Sequence, residues 1–242
     1  MRSLLPTGND SEPNHNDSAP KITDDPTWTN GDFEVITSDQ VRFRVNTHLL
    51  LGASKVLASA AAASTGGKKI EFLGDTETAQ VFRAFLNLVS TGQTEEHEDV
   101  SEGSPQDFCV DTANLALFLQ KWDCPAHLSH LITHLHLGVL LDDLSAMDFF
   151  FVAAAIKDSE AATAALKSTT RKWVGRDGVC GYISGRSCFD PRGWSLSRYR
   201  EWETYGNVEY LWALSRAYGE TSADLSKLSK KFAEYLALTE GK

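Results

Sequence analysis

The chain has 242 residues, 42% of them hydrophobic, enough to build one large domain or two small ones and too many for disorder throughout. A formal net charge of -10 and a pI of about 5.1 exclude a general nucleic-acid binder, which needs clustered Lys and Arg to displace counterions, and oppose binding to an anionic membrane. The sequence has no apolar run of the ~18 residues that a spanning helix needs, no secretory h-region, and too few cysteines (four) for a disulfide scaffold; the expected location is intracellular, in cytoplasm or nucleus.

In chain order, residues 1–29 are rich in Asn, Asp, Ser and Pro and are expected to form a disordered tail. Phe33-Glu34-Val35-Ile36 and Val41-Arg42-Phe43-Arg44-Val45 alternate apolar with other residues around the polar link 37–40. This predicts a β-hairpin with Phe43 and Val45 on one side. THLLLGASKVLASAAAAS, over 47–64, predicts one helix with Ser54 inside it, ended by Gly66-Gly67. KKIEFLGD reads as a short strand with Ile70 and Phe72 on one face. TETAQVFRAFLNLVSTG reads as a helix with the stripe Val81, Phe82, Phe85, Leu86 and Val89, stopped at Gly92. The segment 94–107 holds six acidic residues and no Lys or Arg, so it is read as a solvated acidic loop.

Helices dominate from Asp111. TANLALFLQKWDC and PAHLSHLITHLHLG form one pair. DLSAMDFFFVAAAI and SEAATAALKSTTRKW form a second, joined at Lys157-Asp158, with Asp158 and Ser159 as N-cap candidates. Asp142-Asp143 are expected to cap the helix that follows them. Residues 175–193 are Gly-rich and read as loop or a small hairpin. Beyond Trp194 the pattern is again helical and dense in aromatic residues, which are expected in the core, with Trp202 and Trp212 substantially buried.

Four of the seven histidines lie in WDCPAHLSHLITHLHLG, residues 122–138. Pro125 suits the first turn of a helix. At ~100° per residue His127, His130 and His134 fall within about 60° of one another. His127 and His134 are nonetheless about 10.5 Å apart in rise, too far for one ion to share with His130. His130 and His134 make only a half-site, without the Glu of a metalloprotease helix. The stripe is therefore read as a helix boundary, with no metal site. Cys180 and Cys188, spaced C-x7-C, are too wide for a zinc knuckle and are read as free thiols. No nucleophile elbow, phosphate loop or dinucleotide-binding glycine motif is present.

Several segments carry a resemblance in combination. FRVNTHLLLGASKVL has Phe43 and Val45 as inward strand positions, Leu49 and Leu50 in a helix core, and Ser54 and Leu57 beyond. KKIEFLGDTETAQVFRAFLNLVSTG ends in Ser90-Thr91-Gly92. LALFLQKWDCPAHLSHLITHL contains Lys121-Trp122. Together they resemble a BTB/POZ domain of the type abundant in fungi, in which Tyr-Thr-Gly and Lys-Tyr stand at the latter two places. The resemblance implies an α/β (α+β) fold. A BTB/POZ-like domain would span 30–138, a small sheet flanked by helices, and a mainly helical C-terminal extension would span 139–242. It further implies a non-catalytic protein–protein interaction module with no cofactor and no metal. The partner is another protein, with homodimerisation possible and neither nucleic acid nor membrane involved. The candidate dimer interface is Phe33, Val35 and Leu49, and the candidate partner surface includes Lys55 and Ser59. Residues 58–67, ASAAAASTGG, lack the apolar-x-Glu motif of relatives that bind a cullin. A cullin-type ubiquitin-ligase adaptor is thus one alternative reading, and a metal-dependent enzyme using His127, His130 and His134 is another.

Overall fold

Two short strands, β2 (Phe33–Ile36) and β3 (Val41–Val45), pair antiparallel as the hairpin that the alternation predicts. Phe33, Val35, Phe43 and Val45 all point into the core. The turn closes through Gln40, whose φ of 63 lets its N–H reach the carbonyl of Thr37. The structure is a computed structural model and describes residues 21–63, 68–93, 105–141, 143–168, 191, 196–204, 206–221 and 224–239. Among these it is a mixed α/β protein of four strands and ten helices. Among them too, no helix is long and apolar enough to cross a membrane.

The sheet order is β1-β3-β2-β4. Strand β1 (Thr23–Thr29) runs parallel to β3, and β4 (Lys69–Glu71) parallel to β2. The expectation of a tail through residue 29 is corrected here, because residues 23–29 form an edge strand. Its inward group is a carboxylate, so apolar alternation could not reveal it. Asp25 is fully buried and accepts N–H bonds from Thr27 and Trp28 at 2.9 Å each. It also takes the Arg83 guanidinium at 2.5 Å. Residues 1–20 lie outside the described residues.

The outer sheet face is a row of alternating charges, Asp24 on β1, Arg42 on β3, Glu34 on β2 and Lys69 on β4. Neighbours are 2.7, 3.8 and 3.8 Å apart, and Lys69 also reaches Glu71 at 2.6 Å. Each such exposed pair contributes about 0–1 kcal/mol. Together they fix which face meets water, since a one-residue slip would turn Phe43 and Val45 outward.

The helix expected over 47–64 is in fact two, α1 (Thr47–Ala53) and α2 (Lys55–Ala63), broken at extended Ser54. Helix α3 (Ala79–Thr91) carries the predicted stripe. Thr78 caps its start, and Gly92, in the left-handed conformation at φ 71, ends it. Helix α4 (Pro105–Lys121) begins seven residues before the expected start at Thr112 and takes in the end of the acidic segment; residues 94–104 lie outside the described residues. Helix α5 (Pro125–Leu140) starts as Pro125 predicts.

Helices α6 (Ala146–Ala155) and α7 (Ser159–Lys167) meet at Lys157, and Asp158 caps α7 by accepting from the N–H of Ala161. Helix α6 is capped by Ser145, in place of the expected Asp142-Asp143, of which Asp142 lies outside the described residues; the Ser145 hydroxyl accepts from the N–H of Asp148 at 3.1 Å, as an N-cap side chain should. The Gly-rich stretch, with Cys180 and Cys188, lies outside the described residues apart from Pro191. Helices α8 (Leu196–Thr204), α9 (Val208–Thr221) and α10 (Leu225–Thr239) complete the chain.

One continuous core joins the two halves. At one end Phe82 meets Phe43 edge-on at 5.0 Å and Phe72 at 5.4 Å, and Phe118 closes on Phe85 at 5.1 Å. At the other end Phe150 packs against Phe232 at 5.3 Å, and Phe151 against Trp202 at 5.4 Å. Between them α4 lies on α6, where the Gln120 side chain donates to the carbonyl of Ile156 at 3.0 Å. Of the C-terminal aromatic residues expected in the core, Trp202, Tyr210 and Tyr218 are buried, Tyr199 is exposed, and Trp194 and Tyr205 lie outside the described residues. The expectation fails for Trp212, which is 43% exposed and rests edge-on against Tyr235 on the outside of the α9–α10 pair.

Candidate interaction surface

The break at Ser54 organises the surface that the sequence singled out. Ser54 is 3% exposed and extended, so its side chain caps α2 by accepting from the N–H groups of Val56 and Leu57 at 3.1 and 3.0 Å. The same hydroxyl donates to the carbonyl of Trp122, at the far end of α4. Had the helix run straight, Val56 would continue the apolar stripe of Leu49, Leu50 and Ala53. The break turns it outward instead. Leu50, Ala53 and Leu57 are buried, while Leu51 is 49% and Val56 41% exposed.

Lys55 and Ser59, the candidate partner surface, are both exposed on α2 beside Val56, with Ser59 bonded to the Lys55 carbonyl at 2.8 Å. Leu49 is half-exposed on α1. The remaining two candidate dimer residues are corrected. Phe33 is 2% and Val35 0% exposed, because β2 is an interior strand with β3 on one side and β4 on the other. Neither their side chains nor the strand edge can meet a second copy.

The support beneath this surface was not legible beforehand. Glu77 is buried at the start of α3. It accepts from the N–H groups of Leu73 and Gly74, the Lys121 ammonium at 2.8 Å and the Trp122 indole N–H at 2.9 Å. Burial alone would raise the Glu77 carboxyl, but the Lys121, Gly74 and Trp122 donors together hold it below its ordinary value. Asp25 behaves alike: burial opposes its charge, and Trp28, Arg83 and Thr27 more than offset that. Asp32, before β2, caps α1 from a distance by accepting from the Thr47 N–H and hydroxyl at 2.8 and 2.9 Å. Glu77 and its side-chain partners Lys121 and Trp122 are 44 and 45 residues apart, and no local pattern marks such a pairing. Ser54 did carry a readable sign, a Ser two residues after a Gly, ahead of an apolar run.

The histidines of the stripe differ in their surroundings. His130 and His134 are exposed on α5, whereas His127 is half-buried with its Nδ1 enclosed and lacking a hydrogen bond. Burial, and then the neighbouring His130, lower the His127 pKa and favour its neutral form. His136 points elsewhere and stacks on Phe149 at 5.6 Å. Among the described residues no three His, Cys, Asp or Glu side chains converge as metal ligands. Cys109 and Cys124 are buried thiols. Burial pushes Cys124 up to about 11, which the Ser54 contact only partly opposes, so it is a poor nucleophile at neutral pH. Comparison with protein-family models, curated proteins and solved structures gives no match.

Proposed function

We propose that the chain is a BTB/POZ-like interaction module that binds another protein through the α1–α2 surface, without catalysis or cofactor, in the cytoplasm or nucleus. The observation that carries this reading is the pair Leu51 and Val56. Their apolar side chains are held outward on either side of the Ser54 break, and that break is pinned from below by the Trp122 carbonyl. Exposed apolar residues fixed by a buried polar anchor form a preformed docking site, with little ordering cost on binding.

The element order supports the family reading. Hairpin, helices, strand, helix, then α4 and α5 follow one another as the resemblance implies. The residues that carried the resemblance also meet in space: Ser54 and Glu77 both bond to the Lys121-Trp122 corner. The non-catalytic reading is supported by the buried ionisable groups, since Asp25 and Glu77 have their oxygens occupied by structural donors.

The test is affinity capture with the full chain, run in parallel with the Leu51→Asp/Val56→Asp variant. A protein retained by the native chain and lost at least tenfold on the variant, whose melting curve is unchanged, supports the proposal. Identical sets of captured proteins on both would sink it.

A further inference from the structure

An unpaired edge strand offers a row of backbone N–H and C=O groups to any extended chain that meets it. The two edges of this sheet are β1 and β4, and they differ. On β1, Pro26 has no N–H, and the N–H groups of Thr27 and Trp28 are both taken by the Asp25 carboxylate at 2.9 Å. That edge is blunted in its middle.

Strand β4 has no such protection. It stands parallel to β2, with Lys69 beside Glu34 and Glu71 beside Ile36. The Glu34 N–H donates to the Lys68 carbonyl, and the Phe72 N–H to the Ile36 carbonyl, each at 2.8 Å. Backbone groups alternate sides along a strand, so Ile70 faces β2 as well, and the N–H and C=O of Lys69 and Glu71 point away from the sheet. Among the described residues nothing takes them up. The next outward N–H, that of Leu73, is bonded to Glu77 at 3.2 Å, which ends the open stretch. Leu73 itself is 86% exposed, so this end of the edge is open to solvent.

We propose that the β4 edge is a strand-addition site, where an extended segment of a partner protein pairs with Lys69 and Glu71 and enlarges the sheet. The occupant is read from the groups left open. Two donors and two acceptors, repeated at about 6.6 Å, match an extended backbone; a helix keeps its own groups bonded to itself. Side-chain alternation gives the segment its chemistry. Ile70 and Phe72 are buried on the inner face, while Lys69 and Glu71 lie on the outer face, paired with each other at 2.6 Å. The segment therefore carries apolar residues inward, beside Ile70 and Phe72. Outward it carries uncharged polar residues, since the outer charges are already matched. A second copy fits less well, because it would bring a net charge of -10 of its own and only the three residues of its β4. The site goes beyond the α1–α2 reading, for it uses the backbone of β4 and neither Leu51 nor Val56.

The test is selection of random octapeptides displayed on phage against the full chain, with the enriched sequences synthesised and titrated by fluorescence anisotropy. The enriched peptides are expected to alternate apolar and polar residues. Glu71→Pro removes one outward N–H and leaves the bonds to β2 in place, and proline is tolerated where a strand faces away from its sheet. It should weaken binding about tenfold, the effect of one lost backbone hydrogen bond, with the melting curve unchanged. Glu71→Ala removes the side chain and keeps the N–H, and should bind like the native chain, as should Leu51→Asp/Val56→Asp. Amide exchange followed by NMR on the native chain reads the same site without a variant. The amides of Lys69 and Glu71 should exchange fast alone and slowly with peptide, while those of Ile70 and Phe72 are slow in both. Failure to enrich any peptide, equal binding to Glu71→Pro, or unchanged exchange at Lys69 and Glu71 overturns the proposal. Peptides lost on Leu51→Asp/Val56→Asp but kept on Glu71→Pro overturn it too, and support the α1–α2 surface. A native chain that dimerises in sedimentation where Glu71→Pro stays monomeric overturns it in favour of a second copy.

Discussion

Ser54 joins three backbone segments with one hydroxyl. It stops α1, caps α2 and ties both to the end of α4. Ser54→Ala leaves the Trp122 carbonyl and two N–H groups without that partner, and we expect a loss of about 1–3 kcal/mol in urea unfolding. Glu77 and Asp25 set the acid response. Both carboxyls are held below their ordinary values of 4.5 and 3.8. Folded, they take up protons less readily than when unfolded, so the stability they contribute is complete above about pH 5 and is lost as pH falls through the folded values. The urea midpoint should therefore drop between about pH 5 and 3, and Glu77→Gln should flatten that drop while lowering the midpoint at neutral pH. A Glu77→Gln protein with an unaltered acid profile would show that other groups govern it. Glu77 and Asp25 were illegible as hubs because their charged partners, Lys121 and Arg83, are chosen by the fold and not by spacing.

At the scale of elements, most of what periodicity predicted is present. The hairpin, the α3 stripe with its Gly92 stop, the Pro125 start of α5 and the Asp158 cap of α7 all rest on local chemistry that a sequence displays. The departures share one physical reason. β1, the break between α1 and α2, and the Ser145 cap all turn on polar side chains bonding backbone groups, nearby at Trp28 and Asp148 and distant at Trp122. Apolar spacing does not report such bonds. Strand β1 is the plainest case, since its fully buried residue is Asp25. Asp25→Ala strands the Arg83 guanidinium and frees two N–H groups, and should cost about 3–5 kcal/mol. The measurable sign is protease cleavage within residues 21–30 under conditions where the native chain resists. Equal resistance would mean that the pairing of β1 with β3 suffices without the carboxylate.

Across the whole molecule, the two sequence-defined halves share a core. Phe149, Phe150 and Phe151 on α6 are buried along with Phe118 on α4. The described part of 139–242 thus packs on the same core as the first half. Ending the chain at Leu141 would bare the side of α4 that α6 covers. We expect such a fragment to keep helical circular dichroism but to bind a hydrophobic dye strongly and to unfold without a cooperative transition. A truncated chain with a sharp melt would show that residues 30–138 fold alone. Nothing in the sequence spoke to this, because α6 past Asp148 is apolar all round and would read the same in a separate lobe.

The bond from Ser54 to Trp122 spans 68 residues of chain. During synthesis, α1 and α2 leave the ribosome long before Trp122 exists. Until it emerges, the hydroxyl that sets the angle between them has no carbonyl to hold. The α1–α2 surface proposed for docking therefore cannot take its final shape while the first half of the chain is being made. A nascent chain stalled short of Trp122 exposes Leu51 and Val56 without their geometry, open to chaperones and closed to a partner that needs the finished shape.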